Sequence, residues 1–139
     1  MHNKLTQELA ICGRNAVAAL GQHHPETIRR LFLREEQLKD FAWVCRGLAE
    51  RKRPYKLCED EELERLCKSS HHQGIVAMIE EPLIEAAAQE DIDAWAEGKT
   101  GLVLHSVGND LNLGAIVRSA AFFDAPLIVI NGGDEEARL

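Results

Sequence analysis

Asn112 and Arg118 lie in the run Asn-Leu-Gly-Ala-Ile-Val-Arg-Ser that ends at Ser119, and the residues between the two are apolar or glycine. A guanidinium presents fixed N–H donors to an oxygen that carries or develops negative charge. An asparagine amide can orient a neighbouring polar group. By residue type alone, an Arg flanked by Val117 and Ser119 is a solvent-exposed helix residue. On an ideal helix it lies roughly 240° around from Asn112.

The elements around this run give it a setting. Leu102 to His105 is a buried-type strand, Asn112 to Phe123 a helix with Leu113, Ile116, Val117 and Ala120 inward, and Leu127 to Ile130 a second apolar strand after Pro126. This is a βαβ unit, which predicts parallel strands and a right-handed crossover. Ligands bind beyond the carboxyl ends of such strands, where the loop Ser106 to Leu111 stands. Gly108 and Gly114 permit tight turning and close backbone approach. Asn109, Asp110 or Asn112 is expected to cap the helix, whose N-terminus could attract an anion. Neither a phosphate-loop pattern nor a G-x-G-x-x-G run is present.

The preceding segment reads as alternating elements. Ile11 to Leu20 is Ala- and Leu-rich and predicts a helix stopped by Gly21. Thr27 to Leu33 is a strand. Glu36 to Arg51 is a helix with Leu38, Phe41, Trp43, Val44, Leu48 and Ala49 on its apolar face. Tyr55 to Cys58 is a strand, Asp60 to Cys67 a helix with Leu63, Leu66 and Cys67 inward, and Ile75 to Ile79 a closing strand. About 70 residues in this order form a small three-layer α/β domain. Residues 81–99 are Ala-, Glu- and Asp-rich and read as a partly helical acidic linker anchored by Ile92 and Trp95. A lone parallel βαβ cannot bury both faces, so the second domain is expected to be incomplete within these 139 residues.

The net charge of −7 is unevenly spread. Residues 1–80 carry 13 Lys and Arg against 12 Asp and Glu, a balance of +1; residues 81–139 carry 3 against 11, a balance of −8. An acidic total argues against a protein that coats nucleic acid non-specifically, but allows a local basic patch. Arg14, Arg29, Arg30, Arg34 and the run Arg51-Lys52-Arg53 are the candidates, unless Glu35, Glu36, Asp40, Glu50 and Glu59 simply pair with them. Cys12, Cys45, Cys58 and Cys67 form no C-x-x-C pair and read as reduced thiols, not a metal site. No apolar run approaches the roughly 20 residues of a membrane span, and Met1 to Glu8 lacks the apolar core of a secretory signal. A cytoplasmic protein is expected.

Asn112-x-Gly114-Ala-Ile-x-Arg118-Ser119-Ala120, after a strand and before an aromatic pair and a second strand, resembles the first motif of the SpoU/TrmH-type (SPOUT) RNA 2′-O-methyltransferases. Cys12-Gly-Arg-Asn-Ala-Val17 and His71-His-Gln-Gly-Ile75 resemble the start and end signatures of that family's small substrate-binding domain. The resemblance implies an L30e-like three-layer α/β domain at 1–80, an acidic linker at 81–99, and at 100–139 the first βαβ unit of an incomplete trefoil-knot α/β domain. It implies a homodimer that transfers a methyl group from S-adenosylmethionine to a ribose 2′-hydroxyl of tRNA or rRNA.

Under the resemblance, Arg118 is the arginine proposed to activate the 2′-hydroxyl, and Asn112 is the asparagine that helps to position the substrate and this arginine. A guanidinium is a poor general base, so orienting and stabilising the developing alkoxide is the physically favoured role. RNA contacts are expected from Arg14, Arg29, Arg30, Arg51, Lys52 and Arg53. His71-His72 is expected to have a packing or turn role rather than a catalytic one, and Trp43 and Trp95 are expected to be core and linker anchors rather than base-stacking platforms. The sequence departs from the family pattern where Gly108-Asn-Asp-Leu111 replaces an Asp-Pro pair, and where Asp124-Ala125 follows the aromatic pair. The second and third motifs, which build the cofactor pocket, have no counterpart here. The cofactor-binding residues are therefore not assignable, and this stretch alone is expected neither to hold S-adenosylmethionine well nor to catalyse transfer. The competing expectation is a non-catalytic RNA- or protein-binding module from a truncated or degenerate relative.

Overall fold

The computed structural model describes residues 2–3, 8–82, 86, 88–93 and 98–131. Two compact units divide the chain, Met1–Leu83 and Ile84–Leu139.

The first unit is built on a five-stranded sheet. Its strands are β1 (His2–Asn3), β2 (Glu8–Cys12), β3 (Ile28–Leu33), β4 (Tyr55–Leu57) and β5 (Ile75–Glu80), in the order β1-β2-β5-β3-β4. β5 lies at the centre, antiparallel to both β2 and β3, and β4 joins β3 in parallel. Residues of β5 from Ile75 to Ile79 are all buried. Alternation then sends them to two cores. Ile75, Ala77 and Ile79 pack with Val17 of α1 (Arg14–His23) and with Phe41, Val44, Cys45 and Leu48 of α2 (Leu38–Glu50). Val76 and Met78 pack on the opposite face with Ala10 and with Leu63 of α3 (Asp60–Cys67). Two helices, a sheet and a third helix make the expected three layers.

β3 breaks the simple alternation. A register shift between Ile28 and Arg30 lets Ile28, Leu31 and Leu33 all face α1 and α2. Such a bulge opposes two residues to one, and here it turns Arg30 and Phe32 toward the α3 side.

Two expectations fail around α1. Ile11 and Cys12 belong to β2, not to a helix, and the helix begins only after Gly13, whose φ of 97° is open to glycine and strained for other residues. Nor does Gly21 stop the helix, which runs on to His23. Gly21 instead permits α2 to approach: a Cβ there would stand 2.8 Å from Cη2 of Trp43 and 3.1 Å from Cγ2 of Val44. Trp43 is consequently not a core residue. It lies edge-on against α1 and remains 42% exposed. Ala49 is exposed as well. Gly21→Ala gains about 1 kcal/mol of helix propensity, yet forces the indole outward. The expected result is a red-shifted Trp43 emission with no net stabilisation in denaturant melts; a gain of about 1 kcal/mol with unchanged emission would contradict this packing.

None of the four cysteines is in a disulfide. Cys45 belongs to the α1–α2 core, and Cys12, Cys58 and Cys67 pack around the α3 core. Burial is the main cause that raises the thiols of Cys12, Cys45 and Cys58 above their ordinary value of 9.0; the adjacent Cys67 raises Cys12 further. A raised folded-state value stabilises the fold below pH 9.0 and loses that contribution as pH climbs through the raised values. Iodoacetamide should therefore label these thiols slowly at neutral pH and faster in urea, with mass spectrometry following each site. Rapid native labelling at Cys45 would refute its burial.

In the second unit, β6 (Leu102–His105) and β7 (Ile128–Asn131) are parallel, as expected, and flank α5 (Asp110–Phe122). A short helix, α4 (Gln89–Asp93), precedes them in the segment read as a linker. Trp95 lies outside the described residues. Ala120 is the buried residue of α5, with Leu113 and Ile116 half-buried. Val117, expected inward, is 42% exposed. No helix among the described residues is long and apolar enough to cross a membrane.

Candidate functional site

The two signature segments of the first unit meet in space. The backbone N–H of Arg14, opening α1, donates to Oε1 of Gln73 at 2.9 Å, across 59 residues of chain. Gly13 N–H donates to the carbonyl of Ile75 at 3.2 Å, and Arg34 N–H to that of Gly74 at 2.9 Å. Gln73 and Gly74 both have positive φ, 53° and 73°. His72 is 5% exposed, and its Nδ1 accepts from the Gly74 amide at 3.0 Å. That bond holds the tight turn into β5, a turn role for His72. His71 is exposed.

Side chains complete this end of the sheet, where β2 and β3 finish and β5 starts. The Arg14 guanidinium donates to Gln37 and to Asp40, the latter at 2.7 Å, and stacks 5.6 Å from the Phe41 ring centroid. Arg34 bridges Glu36 and Asp60. Gln37 and Asp60 carried no signal in the sequence, because their partners are brought together only by the sheet.

The other basic candidates are elsewhere. Arg29 and Arg30 stand at the bulged start of β3, paired with Glu80 and Glu8. Nε of Arg30 is buried and has no hydrogen-bond partner among the described residues. Arg51, Lys52 and Arg53 follow α2; the Arg51 guanidinium donates back to the carbonyl of Gly47 at 3.0 Å, which also accepts from the Arg51 backbone N–H at 3.3 Å. The six candidates thus occupy separate places on the unit. Exposed ion pairs contribute little to stability, so Arg14 and Arg29 can exchange carboxylates for phosphates at small cost. A cleft of about 440 Å³ is an unsuitable anion site, since Glu35, Glu59, Glu61 and Glu62 line it.

In the second unit, Asn109 takes the cap of α5. Its Oδ1 accepts from the amides of Leu111 and Asn112 at 3.0 and 3.2 Å. Asn112 and Arg118 are both exposed. Six residues separate them by about 9 Å along the axis and about 240° around it, so α5 alone does not converge them on one point. No ion pair occupies Arg118 among the described residues. Gly108 and Gly114 lack positive φ and have open space where a Cβ would stand. The turn and packing of this unit therefore do not themselves require glycine at either position. Phe122 and Phe123 meet edge-to-face at 5.2 Å but are 84% and 79% exposed. Asp124, after them, holds Lys99 at 2.9 Å, and the hydrogen bond and charge of Lys99 lower its carboxyl value.

The joined signatures agree with comparison to known proteins. Residues 10–96 match the family described as RNA 2′-O ribose methyltransferase substrate binding. The chain belongs to that family. An uncharacterised tRNA/rRNA methyltransferase of Haemophilus influenzae is 31% identical over 123 residues, covering 88% of this chain and 35% of that protein. The 23S rRNA (guanosine-2′-O-)-methyltransferase RlmB of Bordetella pertussis is 31% identical over 119 residues, covering 83% of this chain and 46% of its own length. RlmB of Pseudomonas putida is 29% identical over 129 residues, with 91% and 52% covered. The chain spans about a third to a half of the length of these relatives.

Proposed function

We propose that this chain supplies the RNA-binding domain and the first catalytic motif of an S-adenosylmethionine-dependent RNA ribose 2′-O-methyltransferase acting on tRNA or rRNA. The family match over residues 10–96 carries this reading, and the relatives' names point the same way. Residues 1–80 bind RNA, with Arg14, Arg29, Arg30, Arg51, Lys52 and Arg53 offered to phosphates. Residues 81–99 connect, and residues 100–139 begin the methyltransferase domain. Arg118 stabilises the developing 2′-alkoxide and Asn112 positions it. The pocket for S-adenosylmethionine, which supplies the methyl group, needs residues beyond this βαβ unit. We further propose a cytoplasmic homodimer.

The experiment has two arms. The 139-residue chain should bind tRNA or rRNA fragments, with affinity falling as salt rises. A chain extended to the relatives' length should transfer labelled methyl from S-adenosylmethionine to the 2′-hydroxyl, read by nuclease-resistant dinucleotides. RNA binding by the shorter chain with no transfer by the longer one would favour the second reading, a non-catalytic RNA-binding module.

A further inference from the structure

We propose that the outer stripe of α2, centred on Trp43, is a stacking platform for an unpaired RNA base. This rests on the RNA-binding role proposed for residues 1–80 and names the form of RNA that the surface takes.

Four observations converge on the stripe. The indole is 42% exposed, although a tryptophan is among the residues most rewarded by burial. Its ring edge is fixed, since Cη2 and Cζ3 press against Gly21 of α1 at distances that leave no room for a Cβ. A held ring with open surface has lost its freedom before any ligand arrives, which lowers the cost of binding. Lys39 stands four residues before Trp43 and Arg46 three residues after, so helical spacing places all three on one exposed side.

The fourth observation is charge. Arg14, Arg29, Arg30 and Arg34 are all engaged by carboxylates. Lys39 and Arg46 have no ion pair among the described residues and are exposed. Arg51 and Lys52, just past the end of α2, are exposed as well. Glu50 is the carboxylate on the same side, and Asp40 beside it is neutralised by Arg14. Cations that track a phosphate backbone on either side of an aromatic face are the chemistry of single-strand binding. A duplex hides its base faces and offers the indole nothing to stack on.

The test uses the whole chain with Trp95→Phe, which leaves Trp43 as the sole tryptophan of the two. The probe is an end-labelled, unstructured oligouridylate of about eight nucleotides, within the span of one such site. Anisotropy of the label reports binding, and indole emission reports stacking. The expected result is quenching on saturation with the single strand and none with a blunt RNA duplex of equal length. In the background that keeps Trp95, Trp43→Leu should weaken single-strand binding about tenfold, and Trp43→Phe should weaken it less. Lys39→Gln with Arg46→Gln should flatten the salt dependence by about 1.4 in log–log slope. Circular-dichroism melts establish that each variant is folded.

Binding with unchanged emission, or unaltered affinity in folded Trp43→Leu and Trp43→Phe, overturns the platform while leaving RNA binding intact. Absence of any anisotropy change with the oligouridylate overturns the platform, and absence of binding to tRNA and rRNA fragments as well overturns the RNA-binding reading with it. Emission that shifts with protein concentration and not with RNA would make the stripe a contact between copies, and also overturns the proposal.

Discussion

If the proposed function holds, Arg118→Ala in a chain extended to the relatives' length is expected to lower the rate of ribose methylation about 10²–10³-fold, while RNA affinity should change far less. The expectation follows from what a guanidinium can do. Its proton is held too tightly for it to serve as an ordinary base. Its fixed N–H donors can instead stabilise the alkoxide that forms as the 2′-hydroxyl attacks the methyl group. That interaction exists mainly in the transition state, so its loss falls on kcat more than on binding. The side chain begins unencumbered, exposed on α5 and without an ion pair among the described residues.

Arg118→Lys separates the two roles. A lysine that stabilises through its charge loses activity as pH rises through its own value, near 10.4 for an unperturbed amine. A lysine acting as base gains activity over the same interval. Single-turnover transfer at several pH values, with saturating RNA and S-adenosylmethionine, reads the sign. Undiminished transfer by Arg118→Ala would remove Arg118 from the mechanism.

The second large effect is on stability. Leu31→Ala should destabilise the first unit by about 3–5 kcal/mol, against the roughly 5–15 kcal/mol that holds most domains folded. Leu31 is fully buried, and it sits in β3 against Ala77 of the central strand with α1 and α2 above. The sheet on one side and two helices on the other resist collapse into the space left behind. Leu57→Ala is the matched control. Leu57 lies on edge strand β4 and is 44% exposed, so its loss should cost under about 1 kcal/mol. Urea unfolding followed by far-ultraviolet circular dichroism checks the pair. Equal costs for the two would mean that β3 is not part of the core described above.

What the residues determined by themselves was local. Asp60–Cys67 and Leu102–His105 form the elements expected at those residues. Asp60–Cys67 has a helical period, and Leu102–His105 is a short apolar run set off by Gly101 before it and the polar loop after it. The parallel pairing of β6 and β7 followed equally, because one helix between two apolar strands allows little else. The resemblance of Cys12–Val17 and His71–Ile75 to family signatures was also legible, and the match over residues 10–96 bears out the family.

Only the tertiary structure decided the rest. β2 escaped notice because Leu9-Ala-Ile-Cys12 runs without polar alternation into the Ala-rich helix, and its identity comes from pairing with β5. Gly21 looked like a helix stop, since a glycine's sequence context cannot tell a left-handed turn from a close approach by another helix. Trp43 looked like core because its partner on α1 was unknown, and Val117 looked inward because helical spacing leaves the edge of an apolar face undefined. The same reason governs the candidate sites. Arg14 could be picked out as a cation, but the sequence did not pair it with Gln37 and Asp40 or place its backbone amide on Gln73. Periodicity reports one residue's relation to its own helix or strand. Contacts across 59 residues arise only when a sheet places its ends side by side.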